Sequence, residues 1–392
     1  MTQSNVKVPP YEMVSENPEF HFKVSVEAII GFCLETKRTT KDGEKIKVLQ
    51  RGFLTDSDGD QFYTILDNIT GIFLVNWLSE NRFSVSNIIN CLIFLDKKNE
   101  AEVFINVPTI MQIITKRNLD AGNPVTKEDI ADIRKIEFPG IDIESYCGIF
   151  YIFSNGWRKG LYFDLKSRET SKTKEDFKKL GTLFATFYSH MTFPEILKLE
   201  ENIKDKMTEN GWFPFTRILG KRFKELHDAI ENDFPIVETS LKIIDSFEKE
   251  SIRQMCDTWM SKEDFKTHET IIRKGVDEYL EGDFISSICI LYPRIEGIIR
   301  LMGGLEIKNS KSTDLAKKLE SVAKEKDGLN LYLPEDFTKY LIKFFFAPFN
   351  LKEEKVPLSR HSLAHGVAKE SDFDKIKAFQ GIMILDQIFF YV

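Results

Sequence analysis

The chain has 392 residues, enough for two or three domains, and 42% of them are hydrophobic, which is sufficient for ordinary globular cores. Its formal net charge of −7 argues against a protein that coats long nucleic acids by bulk attraction, but it does not exclude a nuclease with a local positive cleft. We find neither a secretion signal in the sequence nor a run of the roughly 18 apolar residues that a membrane-spanning helix needs. We therefore expect a cytoplasmic protein with no membrane partner.

The N-terminal part of the chain has the two-residue period of a β-strand. Phe20, Phe22, Val24 and Val26 alternate with polar residues, which predicts a half-buried strand. Further strands are predicted for KIKVLQRGFL, QFYTIL, TGIFLVNW, NCLIFLD, EVFINV, CGIFYIF and GLYFDL. We also predict helices near residues 80–90 and 126–134.

The sequence also predicts one turn of this N-terminal part and a role for the domain. Asn155-Gly156 indicates a hairpin between the last two strands, with a loop longer than the tight form. Residues 1–166 are thus expected to form a β-rich domain. No catalytic pattern stands out in it, so we expect a sensing, regulatory or substrate-presenting module.

The pattern then becomes helical. Residues 166 to 176 read KSRETSKTKED, a charged stretch that predicts a connector and a domain boundary. Beyond it, PEILKLEENIKDKM and GKRFKELHDAIENDF carry Leu and Ile stripes with charged outer faces. We predict a helical connecting region over 167–260 and a helical bundle over 261–392, so the expected fold class is α+β multidomain.

The predicted bundle has helices with identifiable ends. One apolar face runs from Asp283 to Met302 and ends at Gly303-Gly304, and Gly282 separates it from an upstream stripe, which predicts an antiparallel pair. Pro334 opens a further helix. The last helix is predicted over 371–391, with Ser371 at a capping-box position.

A short basic motif precedes that last helix: Arg360-His361-Ser362-Leu363-Ala364-His365-Gly366. Attack of a ribose 2′-hydroxyl on its own phosphate needs a proton acceptor, a proton donor and a cation, and histidine and arginine supply these without metal. The same spacing recurs at Arg222 and His227, where a charged helical stretch predicts an ordinary solvated face.

These residues resemble the signature of the HEPN domain family (higher eukaryotes and prokaryotes nucleotide-binding), which is an Arg and a His with four to six residues between them. The family often has a polar residue after the Arg and a small one after the His, as at His361 and Gly366 here. It also tends to carry an acidic residue on an earlier core helix, which corresponds to Glu296 in YPRIEGIIR. The resemblance covers the last third of the chain and implies a HEPN-like bundle.

The resemblance implies a metal-independent endoribonuclease that works as a homodimer, needs no cofactor, and leaves 2′,3′-cyclic phosphate and 5′-hydroxyl ends on its RNA partner. His365 would transfer protons, Arg360 would hold the phosphate, His361 would assist, and Glu296 would brace Arg360 or a histidine. An ordinary ion pair with Arg300, four residues on, also explains Glu296. Relatives of this kind serve in bacterial antiviral defence or as toxins, which implies a phage-derived or regulatory trigger at the N-terminal domain.

Three alternatives remain open for the motif. The first is a non-catalytic HEPN protein that binds a nucleotide or RNA and dimerises through the bundle. The second is a zinc site, because His361 and His365 share a helix face, with a third ligand from Glu370, Asp372 or Asp374. The third is a purely structural role for the histidine pair.

Overall fold

A computed structural model describes residues 21–33, 40–166, 170–197, 199–304, 310–325, 330–350 and 358–392, and Phe20 of the first predicted strand lies outside them. The chain divides into two compact units. The first contains Met1–Met111 and Ile136–Met191, and the second contains Gln112–Lys135 and Thr192–Val392. An N-terminal sheet is followed by helices, so the fold is α+β, as the sequence predicts.

Within the described residues, the strands are β1 (His21–Ser25), β2 (Phe32–Cys33), β3 (Val48–Leu49), β4 (Arg51–Thr55), β5 (Asn90–Leu95), β6 (Glu100–Ile105), β7 (Ile110–Thr115), β8 (Ile130–Glu137), β9 (Ser145–Tyr146), β10 (Gly148–Asn155), β11 (Arg158–Asp164) and β12 (Lys172–Thr173). The helices are α1 (Asp60–Ile69), α2 (Val75–Glu80), α3 (Lys174–Thr192), α4 (Pro194–Leu197), α5 (Glu201–Glu209), α6 (Lys221–Glu231), α7 (Ile236–Asp245), α8 (Lys249–Trp259), α9 (Glu263–Lys266), α10 (Glu269–Glu281), α11 (Phe284–Gly303), α12 (Ser312–Lys324), α13 (Pro334–Tyr340), α14 (Arg360–Ala364) and α15 (Lys375–Tyr391).

The first unit is built on an antiparallel sheet in the order β1-β6-β5-β10-β11-β4. The central strands β5 and β10 are buried along most of their length, which explains why their sequences are continuously apolar rather than alternating. On one face, Ile93 and Ile152 share a core with Phe62 and Ile65 of α1.

Helix α3 covers the other face of this sheet. The ring of Phe187 stacks 3.9 Å from that of Phe53, and the ring of Phe184 lies 4.5 Å from that of Tyr151. Because α3 belongs to the sheet unit, the stretch predicted as a connector at 166–176 leads into this unit, and the observed division differs from the predicted boundary at residue 166. The segments predicted separately as 167–260 and 261–392 fall mostly into one unit.

Two segments predicted as strands are helical, so those predictions were wrong. QFYTIL lies in α1, and TGIFLVNW forms a π-helical turn, Thr70–Leu74, that continues into α2. Their aromatic and β-branched residues favour strands in isolation, but tertiary packing overrides that preference. The buried residues of α1, namely Phe62, Ile65, Leu66 and Ile69, have the spacing of a single helix face.

The two helices predicted in the N-terminal part were also wrong. Helix α2 ends at Glu80 and only a 3-10 turn, Val85–Asn87, follows it. Near residue 126 the chain makes one 3-10 turn, in which the Asp129 carboxylate accepts hydrogen bonds from the Thr126 amide at 2.9 Å and hydroxyl at 2.8 Å. The Asp129 side chain closes this turn, and the chain continues as β8 instead of forming a helix.

The predicted hairpin between β10 and β11 is present, but its loop is shorter than predicted. Asn155 pairs with Arg158, so only Gly156 and Trp157 connect the strands. Gly156 has a φ of 64°, the left-handed conformation that tight hairpin turns require and that glycine adopts without strain. The hairpin is therefore the tight two-residue form.

In the second unit the predicted antiparallel pair is formed by α10 and α11. Gly282, with a φ of 92°, ends α10, and Asp283 caps α11 by accepting the Ser286 amide at 2.9 Å. The helices pack closely, because a Cβ built on Gly275 would lie 2.6 Å from the Leu291 side chain.

The last helix begins later than predicted. Asp374, not Ser371, caps α15 by accepting the Lys377 amide at 2.7 Å. Ser371 lies in a preceding 3-10 turn, Glu370–Asp372. The sequence prediction made Asp374 the capping-box partner of Ser371, whereas Asp374 is itself the cap, three positions further along.

A buried ion pair fixes α15 in the second unit. Asp386 is 1% exposed, and its carboxylate accepts hydrogen bonds from Arg217 Nη2 at 2.7 Å, Arg217 Nε at 3.0 Å and Trp259 Nε1 at 2.9 Å. Arg217 also donates to the Lys116 carbonyl. The buried carboxylate of α15 is thus fully satisfied, as burial of a charge requires.

Replacing Asp386 by alanine should lower the free energy of unfolding by about 3–5 kcal/mol, because Arg217 would keep a buried charge without a counter-ion. Urea unfolding of the full chain, followed by tryptophan fluorescence, measures the change. Asp245→Ala is the matched control: that carboxylate is 63% exposed and pairs with Lys375 at 2.5 Å, and exposed pairs contribute little. Equal losses in the two variants would contradict the assignment.

Candidate functional site

The basic motif forms one helical turn. Ser359 caps α14 by accepting the Ser362 amide at 3.2 Å, and its own hydroxyl donates to the Ala347 carbonyl at 2.9 Å. The His365 amide donates to the His361 carbonyl at 3.1 Å, which closes the turn. The i, i+4 spacing therefore places both imidazoles on one face, as the sequence predicts.

Glu296 of α11 connects this turn to the core of the second unit. Its Oε1 accepts hydrogen bonds from Arg300 Nη2 at 2.7 Å and Arg300 Nε at 2.9 Å, and its Oε2 contacts Arg360 Nε. Both contacts considered from the sequence, the brace to Arg360 and the i, i+4 pair with Arg300, are present together. Glu296 is only 9% exposed, so this charge is largely removed from water.

Arg360 keeps the part of its side chain that recognises phosphate. It contacts Glu296 through Nε, and among the described residues neither of its terminal nitrogens has a protein partner. Its side chain is 29% exposed. A guanidinium held from behind in this way presents a fork of N–H donors, which matches two oxygens of a phosphate.

His361 is the half-buried imidazole of the pair. Its Nε2 lies 2.9 Å from the Ser312 hydroxyl at the start of α12. Burial lowers the pKa of His361 below its ordinary value of 6.5, and Arg360 and His365 lower this pKa further, while Glu296 partly offsets them. The imidazole is therefore neutral at pH 7 and is able to accept a proton.

His365 is exposed, and its ring centroid lies 5.4 Å from that of Phe349. The site thus combines a fixed cation, a neutral half-buried imidazole and an accessible imidazole within one turn. These are the groups that acid–base chemistry at a phosphodiester uses. The structure brings together all four residues singled out in the sequence: Glu296, Arg360, His361 and His365.

Ser312 and Phe349 were not found by sequence reasoning. Ser312 lies 49 positions before His361, and no local spacing connects the two. A serine at a helix start is ordinarily a cap, so its residue type gave no signal. Phe349 is one of 33 phenylalanines, and its place beside His365 depends on tertiary structure.

In the part of the chain that the structure describes, the group of side chains that could hold a metal ion lies away from the motif. Among the described residues, the group of three ligand side chains whose donor atoms lie within 4.8 Å of one another is His227, Asp228 and Glu231 on α6. Among the described residues, Glu370, Asp372 and Asp374 do not form a group of this kind with His361 and His365.

The second copy of the spacing has different surroundings. Arg222 lies over the Phe247 ring at 4.3 Å, and its Nε donates to the Ser246 hydroxyl at 2.7 Å. His227 faces Glu231, with 3.7 Å between its Nδ1 and the carboxylate. Arg222 is half-buried rather than solvated as predicted, and in the part of the chain that the structure describes no carboxylate forms an ion pair with it as Glu296 does with Arg360.

Comparisons of the sequence with protein-family models, with curated proteins and with solved structures found no match. In the part of the chain that the structure describes, no helix has both the length and the hydropathy to cross a bilayer. The function of the chain is therefore inferred from the geometry of the site and from the motif that the site contains.

Replacing Glu296 by glutamine should lower the pKa of His361 further, because a nearby negative charge that favours the imidazolium is removed. NMR titration of the histidine ring protons measures this pKa. Glu278→Gln is the matched control, since Glu278 forms an i, i+4 pair with Lys274 at 2.5 Å on another helix. A pKa of His361 that is unchanged in Glu296→Gln would show that the two side chains do not interact in solution.

Proposed function

We propose that this chain is a HEPN-type endoribonuclease that cleaves RNA without a metal ion, and that residues 261–392 are its HEPN-like bundle. The observation that supports this most is the Glu296 carboxylate, which holds Arg360 beside two imidazoles while leaving its terminal nitrogens open. A purely structural arginine would be expected to use its fork internally. Here both terminal nitrogens lack a partner among the described residues, on a side chain that is 29% exposed.

The proposed reaction is an in-line displacement at phosphorus. The 2′-oxygen of a ribose forms a bond to the adjacent phosphorus as a base removes its proton, and the bond to the 5′-oxygen breaks as an acid protonates that oxygen. The products are a 2′,3′-cyclic phosphate and a 5′-hydroxyl end. Arg360 would stabilise the charge that develops on the phosphate, and His365 would transfer the proton.

A homodimer is part of the proposal. Acid and base act on opposite sides of the scissile bond, but in one protomer both imidazoles lie on the same face of α14 and His361 is bonded to Ser312. A second copy related by a two-fold axis would supply an imidazole on the other side. We also propose, from the HEPN resemblance alone, a cytoplasmic role in antiviral defence or growth arrest, with a phage-derived or regulatory trigger acting on the N-terminal unit.

The second candidate function is non-catalytic binding of RNA or a nucleotide, with the bundle as a dimerisation module. The contact between His361 and Ser312 favours it, because one imidazole is already engaged by the protein. Arg360 would then hold a phosphate without any bond being broken.

Replacing His365 by alanine should reduce RNA cleavage by about 10²- to 10⁴-fold, the usual contribution of a general acid or base. Arg360→Lys should reduce it by about ten- to a hundredfold, since lysine keeps the charge and loses the fork. The purified full chain is incubated with structured and single-stranded RNA in the presence of EDTA, and the ends are mapped for cyclic phosphate.

The chain supplies its own matched control in His227→Ala, which removes the histidine of the other Arg-x4-His copy and should leave cleavage unchanged. Undiminished cleavage by His365→Ala would rule out the proposed catalysis. If the wild type binds RNA without cutting it, and Arg360→Ala abolishes that binding, the non-catalytic function is the correct one.

A further inference from the structure

A cavity of about 480 Å³ in the second unit indicates a second site. None of the residues of the proposed nuclease site lines this cavity. Its walls come from the segment after β7, from the region of Arg217 and Arg222, from α8 and from the end of α15. Cavities of about 300–1,000 Å³ accommodate small organic ligands.

Positive charge dominates the lining. The ionisable side chains that line the cavity are Lys116, Arg117, Arg217, Arg222, Glu128 and Asp129. Arg117 is neutralised by Asp129, with Nε 2.7 Å from the carboxylate, and Arg217 by Asp386 behind the wall at 2.7 Å. For Lys116 and Arg222, no carboxylate of the described residues lies within ion-pair distance. Glu128, which lines the same cavity, attracts both of them through space, so two cations face one carboxylate and the lining keeps an excess of positive charge.

Lys116 is the stronger indication of an anionic ligand. It is 7% exposed, and its ammonium donates one hydrogen bond, to the Leu219 carbonyl at 2.6 Å, although an ammonium has three N–H donors. Burial lowers the pKa of Lys116 to about 8; Arg217 and Arg222 lower it as well, against Glu128 and Asp129. An anion in the cavity would satisfy the remaining donors and stabilise the buried charge.

Arg222 is held in position to contact the same anion. Its guanidinium lies 4.3 Å above the Phe247 ring, and Ser246 accepts from Nε at 2.7 Å through its hydroxyl and from Nη2 at 3.1 Å through its carbonyl. Among the described residues, Nη1 has no partner. An arginine restrained by an aromatic face and two hydrogen bonds loses little freedom when it binds a ligand.

Part of the remaining lining is apolar. Met255 of α8 and Phe389 and Phe390 at the end of α15 line the cavity, together with polar side chains of α8. A phosphate monoester carries a charge of about −1.5 to −2 at neutral pH and is attracted by a lining with excess positive charge, and a nucleobase offers a flat surface to aromatic rings.

We propose that this cavity binds a nucleoside monophosphate, with the phosphate between Lys116 and Arg222 and the base against Phe389 and Phe390. The proposal does not depend on ribonuclease activity, because it uses none of the residues of that site.

Isothermal titration of the full chain with AMP, GMP, CMP and UMP tests it. At least one nucleotide should bind saturably, and more tightly than inorganic phosphate or the matching nucleoside. Lys116→Met and Arg222→Gln should each weaken that binding by about tenfold or more, as expected for the loss of a charged hydrogen bond. Two variants are used because Lys116 is buried, and the melting temperature of each is measured alongside.

Arg253→Gln is the matched control, since Arg253 is an arginine of α8 that is 52% exposed and does not line the cavity. It should bind the nucleotide as the wild type does, and so should His365→Ala, which separates this proposal from the nuclease. Absence of binding for all four nucleotides at millimolar concentration would overturn the proposal. Wild-type affinity in a folded Arg222→Gln, or equal affinity for inorganic phosphate, would overturn it as well.

Discussion

The candidate site depends on one carboxylate shared by two guanidinium groups. Glu296 uses one oxygen for Arg300 on its own helix and the other for Arg360 on α14. Helix α14 is a single turn, which would not be stable alone, because nucleation of so short a helix is unfavourable. Its position is therefore set by the contact between Arg360 and Glu296 and by the buried cap at Ser359. The guanidinium groups of Arg300 and Arg360 share one carboxylate, which leaves an excess positive charge. Arg360 is partly exposed to solvent.

The same chemical device serves a different purpose in α15. Asp386 is also paired with an arginine, but there the arginine side chain is 12% exposed, its Nε and Nη2 donate to the carboxylate, and its Nη1 donates to the Lys116 carbonyl. That ion pair is buried and stabilises the interior of the second unit. At Glu296 the arginine is 29% exposed and uses only Nε, so its donor capacity is not exhausted. The number of unused donors, rather than the presence of an ion pair, distinguishes a site from a structural contact.

Local signals were sufficient for part of the fold. Helices α10, α11 and α13 were predicted because their apolar period and their Gly or Pro ends agree, and the buried strands β5 and β10 were found as apolar runs. QFYTIL failed because six residues with strand-favouring side chains do not show which period the folded chain will use. The site was found from the sequence because Arg360, His361 and His365 lie within six residues of one another. The contact between Ser312 and His361 was not found, and neither was the cavity, because each is formed by segments that are far apart in the chain.

The position of the cavity bears on what a ligand there could do. Phe389 and Phe390 line it at the end of α15, and the same helix packs along α11, which carries Glu296. A ligand alters a distant site only if the connecting element has two arrangements with different affinities for it. Residues 378–388 of α15 are all buried, and Asp386 fixes the helix to Arg217, so a small displacement would require the whole core to repack. The packing thus favours a ligand that stabilises the second unit through binding over one that switches it.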